Sequence, residues 1–286
     1  MKKVKSYYLE DIILNLHTFW KEQKCLIAES YDTEVGAGTF HPFTFFKCLG
    51  KKPWRTAYVQ ISRRPADGRY ADNPLRMQRY FQYQVILKPA PKDVKEIYKK
   101  SLRFLGLDLA SHDLRFVKDD WSSPTLGARG LGWEVWLDSL EITQFTYFLE
   151  VGDIELYPIS CEITYGLERI AMLLQNKKDV YEIEYKKGIS YKDLFKDYEV
   201  QFCEYNFKFA PVKVLLEEFS HNEKLISELL KKDLLFPAYE LVLRNSHIFN
   251  LLDARGAISQ IQRPDFIKRI RFLAKNCALK YLEKYE

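Results

Sequence analysis

The spacing of apolar positions predicts an amphipathic helix near the start of the chain. Across residues 10–23, Ile12, Ile13, Leu16, Phe19 and Trp20 recur at helical spacing, and polar residues occupy the other positions. A short buried strand is predicted at 25–28. The segment that follows is rich in turn-forming residues and ends at Pro42. This part of the chain therefore predicts a helix, a strand and a loop in succession.

Two longer apolar segments, 57–61 and 80–87, predict strands on either side of a long loop. A helix is predicted at about 93–105, because Gly106 stands where a helix terminator belongs. The aromatic-rich segments 133–137 and 140–148 are typical of an antiparallel hairpin. These segments together indicate a sheet with antiparallel pairing.

A last strand is predicted at 159–164, and residues 167–174 have helical spacing after it. Beyond about residue 181 the strand patterns disappear, and the predicted helices are 211–219, 222–232, 237–250 and 264–284. We therefore predict an α+β fold, an antiparallel sheet flanked by helices, in residues 1–180. A C-terminal all-helical domain follows in residues 181–286.

Composition narrows the class of protein without identifying it. The chain has 286 residues, of which 47% are hydrophobic, enough for a large core. No segment approaches the roughly 20 consecutive apolar residues of a membrane span. Five scattered cysteines without a CxxC pair predict reduced thiols and a cytoplasmic protein, and the scattered histidines leave any metal ligands unknown. The net charge of +5 is compatible with a polyanionic partner but indicates little alone.

The usual nucleotide-binding signatures, GxxxxGK[ST] and GxGxxG, are absent, so a nucleotide site would depend on side chains. Arginine suits phosphate because its planar group donates two hydrogen bonds at once. The loop between the paired strands supplies five arginines: Arg63, Arg64, Arg69, Arg76 and Arg79. Such a loop is often merely solvated. Here the returning strand begins with aromatic residues, which favours a nucleotide site.

Two further segments offer suitable groups. Residues 161–172 predict a strand that turns at Gly166 into a helix carrying Glu168 and Arg169 in its first turn, although an ordinary helix start would look the same. The aromatic hairpin carries Glu134, Trp136, Gln144, Thr146 and Tyr147, and alternating aromatics are more often core residues. If Glu134 or Glu162 points into a pocket, its carboxylate could bind an ammonium group.

These segments occur in the order of motifs 2 and 3 of class II aminoacyl-tRNA synthetases. From about residue 9 to residue 280 the chain resembles the α subunit of bacterial glycyl-tRNA synthetase. The segments that carry the resemblance include Glu34-Val-Gly-Ala-Gly-Thr, Ser62-Arg-Arg-Pro-Ala-Asp-Gly-Arg-Tyr, Gly130-Leu-Gly-Trp-Glu-Val-Trp-Leu, Glu162-Ile-Thr-Tyr-Gly-Leu-Glu-Arg and Asn250-Leu-Leu-Asp-Ala-Arg. The set in this order is far more specific than any one segment.

The resemblance implies a role for each matching residue. Catalytic residues would be Arg63, Arg64 and Arg169, with either Arg63 or Arg64 binding the α-phosphate. The ATP site would comprise Arg63, Arg64, Arg79, Gln82, Tyr83, Glu168 and Arg169. Glycine would lie among Gln82, Glu134, Trp136, Gln144, Thr146 and Glu162. The family commonly has glycine where this chain has Cys161, and some relatives have histidine at Arg79.

The resemblance also implies the reaction and the partners. The chain would activate glycine with ATP and Mg²⁺ and transfer it to tRNA(Gly). It would act with a β subunit in an α₂β₂ assembly. The helix at 10–23, the strand after it and Pro42 would correspond to motif 1, which builds the α–α homodimer interface in class II synthetases. Two rival interpretations are an adenylate-forming ligase that does not charge tRNA and a non-catalytic nucleic-acid-binding module. The intact Arg169, Glu168 and 62–69 loop argue against the second rival.

Overall fold

The computed structural model of the protein describes residues 7–286 and contains a seven-stranded sheet. Its strands are β1 (Leu26–Ile27), β2 (Trp54–Arg63), β3 (Arg79–Lys88), β4 (Leu114–Ser123), β5 (Ala128–Leu137), β6 (Leu140–Val151) and β7 (Ile154–Gly166). They lie in the order β1-β2-β3-β7-β6-β5-β4. Strand β1 runs parallel to β2, and every other neighbouring pair is antiparallel.

Helices surround this sheet and follow it in the chain. They are α1 (Leu9–Glu22), α2 (Pro42–Phe45), α3 (Val94–Leu105), α4 (Leu167–Gln175), α5 (Tyr191–Glu204), α6 (Val212–Lys231), α7 (Leu235–Ala254) and α8 (Arg263–Tyr285). A two-stranded hairpin of β8 (Glu184–Lys186) and β9 (Ile189–Ser190) precedes α5, and one π-helical turn follows it at Tyr205–Phe209. The predicted α+β class with an antiparallel sheet and C-terminal helices is confirmed.

Side chains alternate between the two faces of the sheet, and one face is apolar throughout its centre. On β3, Tyr83, Val85 and Leu87 belong to a buried cluster that also contains residues of α1, α3 and α4. Phe145 on β6 and Ile163 on β7 join the same cluster. We call this side of the sheet the reverse face.

The opposite side is the cleft face, and the C-terminal helices cover one end of it. Ile86 and Phe148 belong to a second buried cluster, which includes much of 35–49 and the buried residues of α6, α7 and α8. The C-terminal helices thus pack onto the sheet through a shared core. The division into a catalytic domain at 1–180 and a helical domain at 181–286 remains a prediction, and residues 1–6 lie outside the described part of the chain.

Most of the predicted elements are present. The helix predicted at 10–23 is α1, and it buries Leu16 and Trp20 as expected. The helix predicted at 93–105 is α3, and it ends at Gly106, whose φ of 108° suits glycine. The helix predicted at 264–284 is α8, and it buries Phe266, Ile270 and Leu273 on one side.

Some predictions about secondary structure are wrong, and other elements, β4 and α5 among them, were not predicted. The two helices predicted at 211–219 and 222–232 form one helix, α6, because the intervening Ser220 and His221 do not break it. Strands continue beyond 181 in the short β8–β9 hairpin. Strand β4 went unpredicted because this edge strand carries charged residues, which disguise its alternation.

Candidate active site

Four polar side chains form a row across the cleft face where the C-terminal helices do not cover it. Gln84 on β3 is paired with Thr164 on β7, Thr164 with Gln144 on β6, and Gln144 with Glu134 on β5. Directly paired residues of an antiparallel sheet have their Cβ atoms about 4.5–5.5 Å apart. Gln84 is 0% exposed and accepts a hydrogen bond from the Thr164 hydroxyl at 2.7 Å, so the row offers a ligand the partly exposed Gln144 amide and Glu134 carboxylate.

Glu162 lies in the next row and is buried, with 1% of its surface exposed. Its Oε1 accepts hydrogen bonds from the Thr39 hydroxyl, at 2.7 Å, and from the Gln84 amide. Burial raises the pKa of Glu162 to about 7, although both hydrogen bonds lower it. Glu162, which was predicted to bind glycine, therefore lies buried beside the row, where it orients Thr39 and Gln84.

Glu134 is the half-buried carboxylate of the row, and its Oε2 accepts a hydrogen bond from Trp136 Nε1 at 3.0 Å. Gln144 donates from Nε2 to Asp119 Oδ2 at 2.8 Å. Thr146, also predicted to meet glycine, is 0% exposed, and its hydroxyl has no hydrogen-bond partner among the described residues. Of the two candidate carboxylates, Glu134 is the one that a ligand reaches from solvent.

Two glycines of β5 leave no room for a side chain between this strand and β6. A Cβ atom at Gly132 would collide with the backbone carbonyl of Phe145, and one at Gly130 would collide with Tyr147 and Thr146. Any side chain at either position would push the two strands apart. The glycines therefore set the spacing on which the position of Glu134 and Gln144 depends.

Gln82 lies on the cleft face toward the open end of β3. Its Oε1 accepts hydrogen bonds from the Gly38 backbone, at 3.0 Å, and from the Ser62 hydroxyl, at 2.9 Å. With the oxygen occupied by the protein, the amide nitrogen is the group that Gln82 can offer to a ligand.

Cationic and aromatic groups meet beside Gln82. The Arg64 guanidinium lies 5.5 Å from the Tyr80 ring centroid and donates from Nε to Gly36 O at 3.0 Å. Arg169 begins α4 beside Gly166 and donates from Nη1 to the backbone oxygen and carboxylate of Glu141, both at 2.8 Å. Burial raises the pKa of Tyr80, and the charges of Arg64 and Arg169 oppose that rise. Arg64 thus lies over the Tyr80 ring, and Arg169 is near enough for its charge to affect the Tyr80 hydroxyl.

Three predicted ATP-binding residues lie on the reverse face instead. Arg63 and Arg79 are paired across β2 and β3, and both contact Tyr198 of α5. Tyr83 is 0% exposed, and its hydroxyl lies 3.1 Å from His17 Nδ1. Since adjacent residues of a strand point to opposite faces, the structure does not bring these three to the cleft.

Glu168, the remaining predicted ATP-binding residue, is 3% exposed. Its Oε1 accepts hydrogen bonds from the Phe81 backbone, at 2.7 Å, and from the Tyr191 hydroxyl, at 3.0 Å. Burial raises the pKa of Glu168 to about 7, while these hydrogen bonds and Arg169 lower it. The carboxylate therefore ties α4 to β3 and α5 rather than opening into the cleft.

Sequence reasoning missed four residues of this site. Tyr80, Gln84 and Thr164 follow from period-2 alternation once Gln82 and Glu162 are taken as cleft-facing, so the signal was present. Thr39 carried no local signal, because only the tertiary fold brings its loop against β7.

Three further observations concern metal binding, membrane spans and the cysteines. Among residues 7–286, no group of three or more His, Cys, Asp or Glu side chains is arranged to hold a metal ion by itself. No helix in the described part of the chain is long and apolar enough to cross a membrane. All five cysteines are free and buried.

Two solved structures of pyrrolysyl-tRNA synthetase from Desulfitobacterium hafniense resemble this chain. One is 13% identical to this chain with a TM-score of 0.48, and the match covers 64% of this chain and 76% of that structure. The other is 9% identical with a TM-score of 0.40, and the match covers 62% of this chain and 73% of that structure. A family profile described as "Glycyl-tRNA synthetase alpha subunit" matches residues 9–286. This chain therefore belongs to the glycyl-tRNA synthetase alpha subunit family, whose members are aminoacyl-tRNA ligases.

Proposed function

We propose that the cleft face activates glycine with ATP and that the chain then transfers the glycyl group to tRNA(Gly). The observation that carries this proposal is the arrangement of two groups of side chains on one face. Gln144 and Glu134 at the accessible end of the polar row provide partners for a small zwitterion. Arg64, Tyr80 and Arg169 beside it provide partners for a nucleotide.

The reaction requires no nucleophile from the protein. The glycine carboxylate attacks the α-phosphorus of ATP, a bond to pyrophosphate breaks, and glycyl-adenylate forms. A hydroxyl at the 3′ end of tRNA then attacks the glycyl carbonyl, and AMP leaves. The protein contributes by holding the two reactants in line and by stabilising the negative charge that develops on the phosphate.

For ATP, the geometry favours Arg64 over Arg63 as the residue that binds the α-phosphate. Arg64 lies on the cleft face and is exposed, whereas Arg63 donates to Tyr198 on the reverse face. Adenine would stack between the Tyr80 ring and the Arg169 guanidinium, since a planar cation and an aromatic ring both pack on a base. Arg169 would exchange its present partner, Glu141, for this contact.

For glycine, Glu134 is the accessible carboxylate that would bind the ammonium group. Gln144 and Gln82 would orient the substrate through their amides. Glu162 would act through Thr39 and Gln84, because its own oxygen is occupied and buried. Selection for glycine requires a pocket in which even a methyl group would clash, and the bulky Trp136 beside Glu134 would help to fill it.

Class II synthetases use ATP together with Mg²⁺. Mg²⁺ usually binds one or two carboxylates along with substrate phosphates and water, so it does not need an all-protein cage. Glu141 at the Arg169 end of the cleft is a suitable carboxylate, which fits such a site. The ion would neutralise phosphate charge as pyrophosphate departs.

The family implies a β subunit and tRNA as partners. We further propose an α₂β₂ assembly in which α1, β1 and Pro42 contribute to the α–α contact. Exposed apolar side chains in this region, Leu14 at 60% and Leu26 at 48%, support a buried interface there. A cytoplasmic location remains a proposal that rests on the free cysteines.

Glycine-dependent ATP–pyrophosphate exchange tests the function. The purified chain is assayed with glycine, alanine and serine, each with and without the β subunit. Exchange with glycine alone is the expected result, and exchange only in the presence of β would mean that β completes the site. Exchange with none of the amino acids, with or without β, would overturn the proposal in favour of a non-catalytic module.

A further inference from the structure

The loop that carries Arg64, Arg69 and Arg76 lies against helix α5, a part of the chain beyond the predicted catalytic domain. We call residues 64–78 the arginine loop. It leaves the sheet at the end of β2 and returns at the start of β3. A loop of this length between two strands does not fix its own position, so the contacts that hold it matter for the nucleotide site.

Glu199 of α5 holds the returning end of the arginine loop. The Gln78 backbone N–H lies 3.0 and 3.2 Å from the two carboxylate oxygens of Glu199, which is 3% exposed. Cys203, one turn later on α5, accepts a hydrogen bond from the Tyr70 backbone at 3.3 Å. A buried carboxylate on a backbone N–H is among the stronger hydrogen bonds of a fold.

Tyr198 of α5 holds both strand ends at once. Its hydroxyl accepts a hydrogen bond from Arg63 Nη2 at 3.2 Å, and the Arg79 guanidinium lies 4.7 Å from its ring centroid. The Arg63 guanidinium also lies 5.3 Å from the Phe202 ring. The last residue of β2 and the first residue of β3 are therefore fixed to one helix.

The middle of the arginine loop approaches α5 too closely to move independently. A Cβ atom at Gly68 would lie 2.6 Å from Cys203 Sγ, and Tyr70 packs against Phe207 at 5.8 Å between ring centroids. The loop is therefore held at residues 68–70 by the end of α5 and by the π-helical turn after it, which contains Phe207, whereas residues 65–67 pack against α7.

We propose that α5 positions the arginine loop for ATP, with Tyr198 and Glu199 as positioning residues that do not touch the nucleotide. This inference rests on the proposed function, since it concerns the nucleotide part of the same site. Displacing α5 moves Arg64 away from Tyr80 and lowers the affinity for ATP. Glycine binding is unaffected, because Glu134 and Gln144 lie farther along the sheet and Gln82 is held by Gly38 and Ser62 rather than by the arginine loop.

The variant that tests this is Tyr198→Ala, because Tyr198 is half-buried and its loss leaves the core intact. Tyr198→Phe keeps the ring under Arg79 and removes only the hydroxyl. The matched control is Tyr205→Phe, a tyrosine just beyond α5 that is 40% exposed. Each protein is prepared with the β subunit, and its dissociation constant for ATP is measured by calorimetry alongside the KM values for ATP and glycine.

The expected result is an ATP dissociation constant raised about tenfold in Tyr198→Ala and about threefold in Tyr198→Phe, in line with a lost cation–π contact and a lost hydrogen bond. The KM for glycine and the melting temperature stay near those of the wild type, as does every value for Tyr205→Phe. Hydrogen exchange at the backbone N–H groups of Gln78 and Tyr70 becomes faster in Glu199→Ala.

Unchanged ATP affinity in Tyr198→Ala, or an equal rise in the KM values for ATP and glycine, would overturn the positioning role. Both results leave the proposed function standing. If the wild-type protein binds ATP but catalyses no exchange with glycine, the proposed function is wrong. The ATP affinities of the variants would still decide whether α5 positions the arginine loop. A wild type that binds no ATP would refute both.

Discussion

Replacing Glu134 by glutamine should weaken glycine binding and leave ATP binding unchanged. The substitution keeps the shape of the side chain. It also keeps an oxygen that accepts the hydrogen bond from Trp136, which is 3.0 Å long in the wild-type protein. It removes one negative charge from the half-buried end of the polar row. Because Glu134 is not fully buried, the fold should tolerate this change.

The size of the effect follows from the contact that is lost. An ammonium about 4 Å from a carboxylate gains about 4 kcal/mol at an effective dielectric constant of 20, before desolvation. A hydrogen bond to a charged group contributes about 1.5–3 kcal/mol net. Taking about 2–3 kcal/mol, with 1.36 kcal/mol for each factor of ten, kcat/KM for glycine should fall about 30- to 150-fold.

Pyrophosphate exchange at varied glycine and saturating ATP measures this change. Glu155→Gln is the matched control, since it removes the same charge from an exposed position at the far end of the same sheet. Glu162→Gln is measured beside them, because it alters the buried carboxylate of the next row. A KM for glycine within threefold of the wild type in Glu134→Gln would refute the reasoning. A large rise in Glu162→Gln alone would assign the ammonium contact to Glu162.

Three further predictions concern the nucleotide site, the strand spacing and the pH dependence of stability. Arg64→Ala should lower the rate of exchange about 100-fold or more, as expected for a group that stabilises transition-state charge. Arg63→Ala should mainly raise the KM for ATP. Equal effects of the two substitutions in steady-state kinetics would contradict the assignment of Arg64 to the α-phosphate. Gly132→Ala should destabilise the fold by about 1–3 kcal/mol through overpacking, seen as a melting temperature lowered by about 2–10 °C. Gly36→Ala, whose new Cβ would have its nearest neighbours at 3.8 Å, is the control expected to melt like the wild type. Burial raises the pKa of Glu162 from 4.5 to about 7, so the folded protein binds this proton more tightly than the unfolded chain. The resulting stabilisation of the fold is complete below about pH 4.5 and is lost as the pH rises through about 7. Between pH 5 and 8 the melting temperature should therefore fall less steeply with rising pH in Glu162→Gln than in the wild type. An equal fall in both proteins would show that Glu162 does not bind this proton.

Periodicity predicted the elements that have one clear face. Helix α1 and helix α8 were predicted nearly to their ends, because a helix buried on one side repeats its apolar residues every three to four positions. Helix α5 was not predicted, although Ser190 and Asp193 form a capping box at its start that the sequence displays. Its function as a support for the arginine loop was not visible, because the contacts join residues more than 100 positions apart.

The sequence by itself determined the family, the α+β class and the segments from which the site is built. Those features depend on local order, since motif residues and apolar spacing lie next to one another in the chain. Only the tertiary structure decided which residues face the cleft: Arg64 rather than its neighbour Arg63, and Tyr80 rather than Tyr83. Side chains in a strand alternate between faces, so one position of register exchanges a ligand-facing residue for a buried one. That register is set by long-range pairing of β2, β3 and β7, which no local pattern in the sequence records.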